Sequence, residues 1–143
     1  LLIACHLVFA FVLPATHSHL IAYSTIVLLG ISFALVPAAL WPSVPKIIDE
    51  KVLGSASCLF FWVQNICLCF VPVLIGSVLN AANADNPAVL AAKAANAEFI
   101  PYDYTLPLVI FACFGIAALL LAVYLKLIDK KNGYGLEEPN IKE

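Results

Sequence analysis

The sequence predicts an all-α fold, a polytopic transmembrane helix bundle, and three observations carry that prediction. Of the 143 residues, 64% are hydrophobic and 11% charged, where a soluble domain has about 45–50% apolar and about 25% charged residues. The apolar residues collect into long runs, and no Asp, Glu, Lys or Arg interrupts residues 20–45, 55–79 or 105–125. At about 1.5 Å per helical residue, each of these runs can cross a hydrocarbon core of about 30 Å. A soluble globular domain is excluded, and the lipid bilayer is the first partner the chain requires.

Residues 1–13 form a shorter apolar run, read as a truncated fourth span. The sequence contains no methionine and opens on Leu1, Leu2, Ile3 and Ala4, so it reads as the C-terminal piece of a longer protein whose N-terminal helices are its natural partner. The run lacks a basic leader and a small-residue cleavage site, which argues against a signal peptide. Residues 14–19 make a short proline-broken turn, and a turn so short sets the flanking helices antiparallel. Residues 46–54 are a short charged connection. Residues 80–104 are a long alanine-rich loop, external in the topology below, in which Asp85, Asn86 and Pro87 give a helix-start signal. Tyr102 and Tyr104 mark re-entry at the interfacial aromatic belt. The transmembrane region thus occupies residues 1–125, and residues 126–143 are a polar tail.

Four spans alternate sides of the membrane, and the lysines choose the orientation. Lys46, Lys51, Lys126, Lys130, Lys131 and Lys142 fall on one face and Lys93 alone on the other, a bias that the positive-inside rule assigns to the cytoplasm. The tail is then cytoplasmic. The basic residues form no patch suited to nucleic acid. The five cysteines (Cys5, Cys58, Cys67, Cys69 and Cys113) lie within apolar runs without Cys-x-x-Cys spacing, so no metal, cofactor or disulfide framework is expected.

In the third span, counting 100° per residue places Gly54, Cys58, Phe61, Asn65, Cys69, Pro72 and Gly76 on one stripe, with bulky residues such as Leu59, Val63, Ile66 and Phe70 opposite. Membrane helices associate through close backbone approach and interhelical hydrogen bonds, so this stripe, with Gly54, Cys58 and Gly76, is expected to face protein. Gln64 and Asn65 carry amide groups that lipid cannot satisfy. They either bond a neighbouring helix or line a polar path for solute. Trp62 beside them is a cavity wall or a packed aromatic. The second span carries its own small stripe, beginning at Gly30, together with Pro37, Pro42 and Pro45, each of which removes a backbone donor. A bent or partly unwound helix is expected near Phe33 to Pro37 and at the lysine-bearing end, where Trp41 stands as a gate plug or belt anchor. His6 is the one imidazole at membrane depth, while His17 and His19 lie in the turn. With no acidic or basic residue in the complete spans there is no material for a catalytic constellation, and an enzyme is not expected.

The stretches Ala39-Leu40-Trp41-Pro42-Ser43-Val44, Leu53-Gly54-Ser55-Ala56-Ser57 and Trp62-Val63-Gln64-Asn65-Ile66 resemble helices ten and eleven of the major facilitator superfamily, most closely the branch typified by the lysosomal dipeptide transporter. The resemblance covers roughly residues 20–80, with Cys58 standing where the pattern has glycine. It implies a partial C-terminal half of that fold, helices nine to twelve of twelve, and a secondary transporter moving a small organic solute, a dipeptide in that branch, by uniport and alternating access around a midplane site. The alternative is a non-transporting membrane scaffold or accessory subunit. The loops carry no Asn-x-Ser/Thr acceptor, which favours a bacterial plasma membrane, with a lysosomal membrane as the other reading.

Overall fold

The computed structural model describes residues 1–138; Lys142 and the rest of the tail beyond Glu138 lie outside the described residues. Five helical segments follow one another, α1 (Leu2–Thr16), α2 (His19–Ile47), α3 (Glu50–Ala82), α4 (Pro87–Ala94) and α5 (Thr105–Asn132), and no strand occurs among the described residues. Three of them, α2, α3 and α5, are long and apolar enough to cross a membrane. The chain is an integral membrane protein by this measure.

Prolines shape the helices without ending them where the sequence suggests. Pro14 cannot donate to the carbonyl four residues back, yet α1 continues past it to Thr16 because the turn Val8–Val12 widens to π geometry and absorbs the mismatch. The Thr16 hydroxyl then donates to Val12 O at 2.8 Å. Helix α1 ends at His17, whose φ of 49° is left-handed, and after an extended Ser18 the chain re-enters a helix at His19. The connection is therefore two residues, shorter than the expected 14–19 turn. In α2 the α-helical stretch His19–Leu40 includes Pro37; the departure from α geometry comes only at the lysine-bearing end, as a 3-10 turn at Trp41–Ser43 followed by Val44–Ile47. Pro42 and Pro45 each occupy an early position of those short turns, where a missing N–H costs least.

The close packing is at a seam that joins α1 to α5, with α2 alongside. Cys5 and Ala10 of α1 and Ala112 of α5 are buried. The His6 ring lies 5.5 Å from that of Phe111, and His6 Nδ1 is 2.7 Å from Leu2 O in its own helix. At Gly115 the approach is tightest: a Cβ there would stand 2.7 Å from Ile3 Cγ1. Two buried hydroxyls of α2, Thr25 and Ser32, donate to the carbonyls of Ile21 and Leu28, each at 2.7 Å. A pair of alanine substitutions tests the seam. Gly115→Ala should lower the detergent melting temperature, overpacking costing about 1–3 kcal/mol, whereas Gly30→Ala, whose Cβ meets nothing within 4 Å, should leave it unchanged or slightly raised.

The loop 80–104 is organised around one buried amide. Asn83, 2% exposed, donates from Nδ2 to Leu79 O and to Asp103 O, both at 2.9 Å, while its Oδ1 accepts the Asp103 N–H at 2.8 Å and the Asn86 side-chain N–H at 3.2 Å. Between these clasped ends sits α4, capped by Asn86, whose Oδ1 accepts the Ala88 N–H at 3.1 Å. Val89 of α4 is fully buried, and Lys93 Nζ lies 5.4 Å above the Tyr102 ring.

Candidate functional site

The residues singled out for a solute path lie on α2 and α3, and the structure gives them an open setting. Every residue from 59 to 70 is exposed, although α3 does approach α5. The Trp41 ring, at the 3-10 turn of α2, stacks on Phe61 of α3 with centroids 5.0 Å apart and planes inclined by 31°. Asn65, one helical turn along α3, donates from Nδ2 to Phe61 O at 2.7 Å. Trp41, Phe61 and Asn65 are thereby brought into one column, and the helical spacing of four residues between Phe61 and Asn65 makes this possible. The Gln64 side chain makes no hydrogen bond among the described residues and is exposed, and Trp62, 63% exposed, makes no ring contact there.

The small-residue positions are equally open. Cβ atoms added at Gly30, Gly54 or Gly76 would meet nothing within 4 Å, and Cys58 is free and exposed. Pro37, Pro42 and Pro45 are exposed as well. Grooves among the described residues include one of about 1140 Å³ between the α1–α2 turn and residues 99–108 and one of about 610 Å³, largely apolar, among the start of α1, the middle of α2 and α5. Neither includes Trp41, Trp62, Gln64 or Asn65.

Charge is confined to the ends. At the loop end Asp103 accepts the Thr105 N–H at 2.9 Å, and hydrogen bonds from the Thr105 side chain and backbone hold its carboxyl below the usual carboxylate range. A depressed folded pKa means that the ionised Asp103 stabilises the start of α5 above the unfolded value and loses that contribution as pH falls through the folded one. Protection of the amides at residues 105–108, taken as their exchange relative to the unfolded chain at the same pH, should therefore weaken below about pH 4, and Asp103→Asn should flatten this pH dependence. Among the described residues no three side chains of the His, Cys, Asp or Glu type are grouped to hold a metal.

Three residues that matter structurally escape the sequence reading. Phe61 stands on the predicted stripe, but its role as the link between Trp41 and Asn65 depends on a contact across helices. Gly115 heads a small-residue row with Ala118 and Ala122, a signal equal to that of Gly30 or Gly54. Asn83 sits among Asn80 and Asn86, and nothing local marks which of the three is buried.

Part of the chain is similar to known transporters. It is 39% identical over 54 residues to the lysosomal dipeptide transporter MFSD1 of Mus musculus, and 35% identical over 54 residues to the proteins of that name from Homo sapiens and Pongo abelii. In each case the match spans 38% of this chain and 12% of the relative. No family model matches the chain, and no solved structure matches it.

Proposed function

We propose that the chain belongs to a secondary membrane transporter of the major facilitator type, moving a small organic solute, a dipeptide, by alternating access. The similarity to lysosomal dipeptide transporters carries the reading. Two features of the molecule support it. The amides of Gln64 and Asn65 stand on a helix otherwise fit for lipid, and polar groups at membrane depth need protein, water or ligand. The glycines of α2 and α3 present open surface of the kind that admits another helix at close range, as the N-terminal bundle of such a transporter would require. In this reading Trp41, Trp62, Gln64 and Asn65 face the solute path, the prolines of α2 supply its bend, the lysine-bearing end is cytoplasmic, and the protein performs no covalent chemistry. The membrane is a bacterial plasma membrane or a lysosomal one.

The test is uptake by the whole gene product, reconstituted with everything encoded before Leu1. Proteoliposomes should equilibrate a radiolabelled dipeptide at least tenfold faster than protein-free liposomes, without an imposed proton gradient. Equal rates with and without protein, for dipeptides and for other small solutes, would favour a scaffold role instead.

A further inference from the structure

The chain after α5 does not simply leave the bundle. Helix α5 stops at Gly133, whose φ of +70° is the left-handed conformation of a helix C-terminal cap, and Gly135 repeats it with a φ of +66°. The reversal folds residues 133–138 back. The Leu136 N–H donates to both carboxylate oxygens of Asp129 at 3.3 Å, and Glu137 pairs with Lys126. That hydrogen-bonded pair holds the Glu137 carboxyl below its usual range. So anchored to α5, the segment presents two carbonyls to α2: Lys46 Nζ donates to Gly135 O at 2.7 Å and to Glu138 O. These bonds join positions 89 and 92 residues apart in sequence.

What Lys46 ties down is the weakest part of α2. Its last residues, Val44–Ile47, include Pro45 and follow the 3-10 turn Trp41–Ser43, which contains Pro42, so fewer and poorer backbone bonds connect them to the main helix. A charge-assisted bond to fixed carbonyls is about twice as strong as a neutral one. We propose that residues 133–138 are a strap that ties the proline-bearing end of α2 to α5, and that this strap must open for α2 to move during transport. The second half rests on the transporter reading above; the first does not.

Hydrogen exchange on the whole protein tests the strap without any solute. Lys46→Met should speed exchange at least tenfold in residues 44–48 and in 133–138. Gly135→Ala should do the same from the other side, because an alanine there is strained by the positive φ and its Cβ would lie 3.0 Å from Glu138 Oε2. Unchanged exchange at residues 44–48 in both variants would overturn the strap. Its gating role is read from Lys46→Cys combined with Leu136→Cys, with the native cysteines replaced and the two thiols joined by a reducible bis-thiosulfonate whose spacer replaces the length of the lysine stem. The cross-linked protein should transport at less than a tenth of the reduced rate, with recovery on reduction. Cross-linked protein that transports at the reduced rate would overturn the gating role. Absence of uptake in the reduced and the unmodified protein alike would overturn the transporter reading, and exchange would still decide the strap.

Discussion

Asn83→Leu should destabilise the loop end of the protein by about 1 to 3 kcal/mol, since it removes two hydrogen bonds to the Asp103 backbone, each with a net contribution of about 0.5–1.5 kcal/mol. The effect is appreciable because the side chain is 2% exposed and bonds the backbone on both sides of the loop neck. Leucine has the same number of side-chain heavy atoms and is somewhat larger, so no cavity is left and the loss comes from the hydrogen bonds and from the tighter fit. Melting in detergent should show the drop, and limited proteolysis should reveal new cleavage between residues 84 and 103. Asn80→Leu, at an exposed position three residues earlier, should change neither. An Asn83→Leu protein with unaltered melting and cleavage would show that the clasp does not hold the loop.

Asn65→Leu has the larger expected effect on transport. In this structure the Asn65 amide donates only within its own helix, to Phe61 O, a carbonyl that helical geometry already provides with a backbone donor. Removing the side chain therefore breaks no bond between helices of the described chain, and melting should shift by less than the ~0.6 to 2 kcal/mol typical of interhelical polar contacts. Uptake per folded molecule should fall at least tenfold. A stability loss within that range with transport per folded molecule preserved would instead make Asn65 a bond to a helix outside this chain.

The parts of the fold legible in sequence are those set by local chemistry. The uncharged runs 55–79 and 105–125 lie within α3 and α5, and each helix extends beyond its run because the flanking residues, Asn80, Ala81 and Ala82 in α3 and Lys126 to Asn132 in α5, are compatible with helix and tolerate water. The Asn86-Pro87 signal marks the start of α4, as capping by an Asx side chain and proline at the first helical position would have it. Proline was a less reliable guide. Pro14, expected in a turn, lies inside a helical segment because a π turn relieves the missing donor, and at Pro37, where unwinding is one expectation, the α-helical stretch continues. Packing was the least legible. Gly30, Gly54 and Gly115 look alike in sequence, yet only Gly115 meets a neighbour, because closeness depends on which helix arrives opposite. For the same reason Asn65 could be placed on the stripe of α3, while its alignment with Phe61 and Trp41 required the fold.

The central claim, a solute path beside α2 and α3 that opens to each side in turn, is tested most directly by water access at position 65. In the whole protein with every native cysteine replaced by alanine, Asn65→Cys should react with a membrane-impermeant thiol reagent added from outside and, in inverted vesicles, from inside, and a transported dipeptide should slow both reactions. An introduced thiol that reacts from neither side, with the protein folded and inserted, would contradict the account.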